Sequence, residues 1–186
     1  MKLKDIVTLQ AGLYAQSSPK DNAVYVQVRD FSPERQIVKD IKPSVKIEGR
    51  AQNLFLSSGD LLFAAKGNNN FCAVFQELAY PAVASSSFLT LRIKKSHVAL
   101  PEYVCWYINL DTTLRYLRSE AKGTGIPSIS KATLEELHIP VPPIETQRKI
   151  IEIAKLQAIA QRLQNKIKTK HKQIIEYKLR KVAENE

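Results

Sequence analysis

The sequence predicts an α+β chain, with a mixed strand-and-helix domain over residues 1–143 followed by one long C-terminal coiled-coil helix over residues 144–186. Three observations lead there. "NAVYVQVRDF" alternates Val24, Val26 and Val28 with Tyr25 and Gln27, the period of two expected of a strand with one covered face. Pro142-Pro143 then removes ladder donors and biases Pro142 towards extended backbone, so a sheet ends there. From Ile144 to Glu184 there is neither Pro nor Gly, and apolar residues recur at heptad spacing.

Within residues 1–143, "LKDIVTLQAG" reads as a short helix or strand ending at Gly12. "SSGDLLFAAKG" is a turn feeding an apolar strand that stops at Gly67, and "FCAVF" and "SFLTLRIKK" read as two more strands. "PEYVCWYINLDTTLRYLRSEAKG" reads as one helix, with Pro101 in its first turn and Gly123 as its C-terminal cap. After a glycine-rich turn, a short helical phrase and a strand-like "LHIPVP" lead to the double proline.

The final helix extends about 60 Å at about 1.5 Å per residue. Ile153, Ala160, Ile167 and Ile174 occupy one seam position, and Leu156, Leu163 and Tyr177 the other. Lys170 and Lys181 interrupt the pattern near the end, where Ile175, Leu179 and Val182 form a second stripe. A domain of about 140 residues is roughly 30–40 Å across. A stripe this long therefore asks for another helix beside it, the plainer alternative being a surface helix folded back on its own domain.

Composition narrows the function classes. With 44% hydrophobic residues the chain can bury a core. No apolar run approaches the roughly 18–20 residues that span a bilayer. "MKLKDIVTLQAG" places Asp5 and Gln10 where a signal peptide keeps its apolar centre, so the expected location is cytoplasmic. Cys72 and Cys105 lie in apolar settings and read as buried thiols. The net charge of +10 suits a polyanionic partner. Residues 144–186 carry 11 Lys or Arg against five acids, and residues 1–143 carry 17 against 13. The helix is thus the denser basic element.

Catalytic patterns are missing. There is no GxxxxGK[ST] loop, and His97, His138 and His171 have no ligand spacing. The run Ser85-Ser86-Ser87 is not part of a GxSxG elbow. Asp60 and Lys66 lack a second acid to hold a metal, and neither a methyl-donor glycine loop nor a proline-rich catalytic tetrapeptide occurs. The expectation is a chain without enzymatic activity and without a cofactor.

Loops suited to DNA are easier to find. "AAKGNNNF" sets Lys66, Asn68, Asn69 and Asn70 on a turn between strands. Asparagine can pair adenine in the major groove, and lysine can reach guanine or phosphate. "AQSSPKDN" adds Gln16, Ser17, Ser18 and Lys20, and "EAKGTGIPS" adds Lys122 and Thr124. Asn and Gly also favour turns for their own sake, so no loop is specific alone.

"GTGIPSISKATLEELHIPVPPIETQRKI" resembles the end of a target-recognition domain in the specificity subunit of type I restriction–modification systems, where a glycine turn passes through prolines into a long helix. "LKDIVTLQAG", "YVQVRDF" and "LSSGDLLFAAKG" are similar to earlier phrases of that family, so the resemblance covers essentially the whole chain. Ile144, Gln147 and Ile150 match the start of the family's helix, and Gly59-Asp60 and Gly67 match its strand-turn phrase.

The resemblance implies a subunit that does no chemistry. It implies recognition domains that each read half of a bipartite site in double-stranded DNA, and antiparallel helices that set the spacing. The implied partners are methyltransferase subunits, which bind S-adenosylmethionine, and motor-nuclease subunits. Family members usually have two recognition domains and two helices where this chain has one of each, as a half-subunit or a fragment would. The expectation is a two-fold homodimer through the seam, reading an inverted repeat. Helices of about 60 Å would hold half-sites on the order of ten base pairs apart. Rival readings are a lone nuclease or methyltransferase, a coiled-coil protein that binds only protein, and a half-subunit that pairs with a non-identical one.

Overall fold

The computed structural model describes residues 1–15, 21–38, 40–123 and 125–184. They divide into two compact units, Met1–Gln147 and Arg148–Glu186.

The first unit is built on a four-stranded antiparallel sheet. Helix α1 (Leu3–Ile6) runs directly into strand β1 (Val7–Ala11), so "LKDIVTLQAG" is both helix and strand. Strands β3 (Leu61–Ala64), β4 (Cys72–Val74) and β6 (Phe88–Ile93) complete the sheet in the order β1-β6-β3-β4. The register places Val7 opposite Ile93 and Ala11 opposite Leu89, with Leu61 opposite Leu91 on the other side of β6. A second, parallel pair joins β2 (Val24–Val26) to β5 (Ala82–Ala84). "NAVYVQVRDF" keeps only three residues as strand, because Val28–Asp30 winds into a 3-10 turn.

All four residues of β3 are buried. Leu62 and Ala64 pack in one cluster with Val24, Val26, Phe71, Phe88 and the alanines of β5. Leu61 and Phe63, equally buried, alternate onto the opposite face. A strand covered on both faces reads as an unbroken apolar run, which "LLFA" is. Gly12 lets the chain leave β1 close to the second sheet, since a Cβ there would stand 2.0 Å from Ser85 O. Leu13 N–H donates to Ala84 O at 2.8 Å just beyond.

The segment 101–123 is two helices, not one. Helix α2 spans Pro101–Ile108 and α3 spans Asp111–Ser119. Asn109 causes the break. Its Oδ1 accepts from Cys72 N–H at 2.9 Å and its Nδ2 donates to Cys72 O at 2.8 Å, so the carboxamide completes the edge of β4 as a backbone peptide would. Gly123 does not cap a helix either, because α3 ends at Ser119 with Glu120 in a right-handed conformation. Gly123 sits further on, at φ 122°. Cys72 is buried as expected, and burial pushes its thiol up, whereas Cys105 is half-buried.

Helix α4 (Lys131–Glu135) starts at Ser130, whose Oγ accepts from Thr133 N–H at 3.0 Å. "LHIPVP" forms no full strand. It makes a single bridge between His138 and Lys2, with Leu3 N–H on Leu137 O and Ile139 N–H on Met1 O. Pro140, Pro142 and Pro143 have no donors with which to continue that pairing.

Helix α5 (Ile144–Glu184) is unbroken for 41 residues. Its first turn belongs to the first unit through Gln147, whose side chain is fully buried. Gln147 Oε1 accepts from Leu100 N–H at 2.9 Å, and Nε2 donates to Val98 O at 2.8 Å and Pro142 O at 2.7 Å. Past Gln147 none of the described side chains of α5 is buried. Among the described residues, no helix is long and apolar enough to cross a membrane.

Candidate nucleic-acid interface

Strand β3 ends in a turn that the structure holds firmly. Gly67 takes φ 83° and redirects the chain, and Asn70 fills the inside of the turn. Asn70 Nδ2 donates to Ala64 O at 3.0 Å and Gly67 O at 3.1 Å, while its Oδ1 accepts from Arg118 Nε at 3.2 Å. Asn70 is therefore removed from the set of base-reading candidates. It is only 3% exposed, with both ends of its amide engaged within the fold. Lys66, Asn68 and Asn69 remain exposed on the same turn.

Two further loops meet this turn. Ala65 N–H donates to Ser87 O at 2.9 Å, and Lys66 Nζ reaches Ser86 Oγ at 3.4 Å, which brings in the turn between β5 and β6. Ser128 forms bridges with both Lys66 and Lys122, and Gly67 N–H donates to Pro127 O at 2.8 Å. Lys122 and Ser128 exchange two backbone hydrogen bonds, so the loop after α3 closes on itself beside Lys66. Lys66, Asn68, Asn69 and Lys122 thus come from two separated stretches of chain onto one surface. Gln16, Ser17, Lys20 and Thr124 lie outside the described residues.

Sequence reasoning passed over three arginines here. Arg118 clamps Asn70 from α3 and orients the turn. Arg29 and Arg35 are exposed on the segment after β2, and Arg35 shares a concavity with Asn69. "SPERQ" did carry a turn signal in Pro33, but nothing in it gives the direction of Arg35. Nothing local marks Arg118 either.

Asp60 has a structural task. It is 2% exposed, accepts from Ser57 N–H at 2.8 Å and holds Arg92 through Nε at 2.7 Å and Nη2 at 2.6 Å. That hydrogen bonding raises the Arg92 guanidinium above its ordinary value. Asp60 therefore faces Arg92 on β6, not Lys66. Together with Gly59 at φ 87° it fixes the turn that delivers β3.

Against known proteins, the model of the type I restriction modification DNA specificity domain matches residues 1–177. The chain belongs to this family. The specificity subunit of the MjaVIII type I restriction enzyme of Methanocaldococcus jannaschii is 30% identical over 109 residues, covering 59% of this chain and 24% of that protein. The HindI specificity subunit of Haemophilus influenzae is 24% identical over 136 residues, covering 71% and 29%. The chain therefore spans about a quarter of the length of these curated relatives. The fold is also that of the HsdS subunit from Thermoanaerobacter tengcongensis, at a TM-score of 0.62 and 22% identity over 89% of this chain and 42% of that one. The type I restriction–modification S subunit of M. genitalium aligns at a TM-score of 0.56 and 15% identity over 89% and 39%. Specificity subunits of type I systems are non-catalytic.

Within this specificity domain, the phrases that carry the resemblance have physical tasks. Gly59-Asp60 and Gly67 bracket β3 with two positive-φ turns, and Gln147 fastens the first turn of α5. None of them is an exposed reading residue.

Proposed function

We propose that this chain is a sequence-specific DNA-recognition component of a type I restriction–modification system. In this reading Met1–Gln147 is the target-recognition domain, and α5 pairs with the same helix of a second copy. The pair reads a bipartite inverted repeat and docks methyltransferase and motor-nuclease subunits. The observation that carries the reading is the convergence of Lys66, Asn68, Asn69 and Lys122 around a turn braced by Asn70 and Arg118. Two cations and two free amides gathered on and beside a pre-set turn are the groups with which a protein positions itself on phosphates and tests base edges.

The self-pairing half rests on α5. Ile153, Leu156, Leu163, Ile167, Ile174 and Tyr177 are each 50% exposed or more, and Ala160 is exposed with them. An apolar seam at heptad spacing is buried economically by a like helix, and a closed two-fold pair satisfies both copies at once.

Light scattering on the wild type and on a Leu163→Asp, Ile167→Asp variant tests the pairing. The expected wild-type mass is twice 21.0 kDa, falling to 21.0 kDa in the variant. A wild-type mass of 21.0 kDa rejects the homodimer and leaves a non-identical specificity subunit as the partner to seek. For the DNA half, neutralising about eight phosphates gives a log–log salt slope of about −7. A slope near zero, with no sequence preference, would instead fit a coiled-coil protein that binds only protein.

A further inference from the structure

We propose that Arg35 reads a guanine from the rim of a concavity it shares with Asn69, an inference that rests on the DNA-recognition reading above. Arg35 is the one described non-glycine residue at positive φ, 63°. Gly or Asn takes that conformation readily, whereas a long L side chain is strained there. Strain kept at an exposed position points to use of the side chain. The turn that imposes it is short and well bonded. Phe31 bridges to Ile37, Ser32 N–H donates to Gln36 O, and Arg35 N–H donates to Ser32 O, the last two at 2.8 Å.

The concavity beside it has a volume of about 430 Å³. Phe31 and Phe71, with ring centroids 5.4 Å apart, line it together with Val28, and Arg35 and Asn69 bring polar side chains to the same space. Ser32 Oγ is already engaged by Glu34 N–H at 3.2 Å and Gln36 N–H at 3.4 Å. A mixed lining, two aromatic rings and Val28 beside a guanidinium and a carboxamide, suits the edge of a base. The planar fork of arginine matches guanine O6 and N7, which a lysine ammonium cannot do with two parallel bonds.

Charge argues for a base over a phosphate. Residues 28–38 hold two arginines and two acids, so this turn is not the basic strip that a phosphate contact favours. Among the described ion pairs, no carboxylate holds Arg35. Asn69 belongs to the turn braced by Asn70 and Arg118, which sets it before DNA arrives.

The test is selection from a random DNA pool by the wild type, Arg35→Gly and Arg35→Lys, with thermal unfolding as the folding control. Glycine suits φ 63°, so Arg35→Gly is expected to unfold at or above the wild-type temperature. The expected outcome is a guanine in each wild-type half-site that both variants lose while the other positions persist. Affinity of Arg35→Gly for the wild-type site should drop roughly ten- to a hundredfold. The salt slope should not change. A uniform loss across sequences, with a slope shallower by about one, would make Arg35 a phosphate contact and overturn the proposal. An unchanged selected site would overturn it as well. No enrichment by the wild type would sink the DNA-recognition reading itself, a separate result from either.

Discussion

The two units of this chain use the same apolar residues to opposite ends. In Met1–Gln147, Leu61, Leu62, Phe63, Leu91 and Ile108 are covered to within 1% of their surface. In Arg148–Glu184, Ile153, Leu163 and Ile167 are all more than half exposed. The first unit closes its core through pairings distant in sequence, such as β1 with β6 and Asn109 with Cys72. The second is one helix, whose backbone bonds are all local and which buries none of its described side chains. Apolar residues thus identify a core only where chain reversals bring a second layer. Without one, they stay on the surface, where the proposed reading sets another helix against them.

Substitutions can break or sharpen that contrast. The largest effect is expected from Phe63→Ala, which empties a site covered on every side. It should cost about 3–5 kcal/mol in urea unfolding. At a dilution where α5 is unpaired, Leu156→Ala should stay within about 0.5 kcal/mol of wild type. Equal losses for the two would mean that the seam is part of one core. Gly12→Ala comes next, at about 2–3 kcal/mol, because the new methyl meets the backbone of Ser85 and Ala84 and neither can rotate away. Hydrogen exchange at Leu13 should quicken in that variant, since its bond to Ala84 O loosens.

Gln147→Leu keeps bulk but strands the Leu100 N–H and the Val98 and Pro142 carbonyls, a loss of about 1–3 kcal/mol. The difference from Leu156→Ala is instructive, since both residues lie on α5. Only Gln147 counts with the first unit, so only its loss should move that unit's unfolding midpoint.

The smallest effect is that of Glu136. Lys2 at 2.6 Å and Lys4 at 2.5 Å hold its carboxyl down from 4.5 to about 2. A folded value below the unfolded one means the stabilisation is complete above about pH 4.5 and is lost as pH falls through about 2. Glu136→Gln should therefore unfold slightly below wild type at pH 7. The gap should narrow steadily below pH 4.5 in a thermal series. A gap that does not change with pH would mean the three groups do not interact in solution. The group is exposed, so the shift in midpoint should be small.

Three adjacent asparagines show how much of the candidate surface could be read from sequence. Asn68, Asn69 and Asn70 are the same residue in the same turn signal, and all three suited base recognition equally well. Asn70 turns inward because the Ala64 and Gly67 carbonyls lack partners there and Arg118, 48 residues away, meets its oxygen. No window around the run contains Arg118. Asn109 is a parallel case, since its neighbours favour a continuous helix and its side chain breaks it to serve Cys72, 37 residues earlier. Lys66 and Lys122 were legible as residue types on loops, whereas their meeting at Ser128 was not.

What the sequence determined by itself was therefore local in origin. Pro142-Pro143 set where α5 begins, because the prolines have no donors to extend the bridge at His138 and Pro143 O accepts the first bonds of the helix. The absence of Pro and Gly over the next 41 residues let the helix run. The period-two run located β2, since strand dihedrals alternate the side chains, and apolar runs located β3 and β6. Only the tertiary structure decided which loops share a surface, which asparagine is buried and why Arg35 is held at φ 63°. Those outcomes depend on hydrogen-bond partners and close contacts between residues far apart in the chain. Such pairings exist only once the sheet has closed.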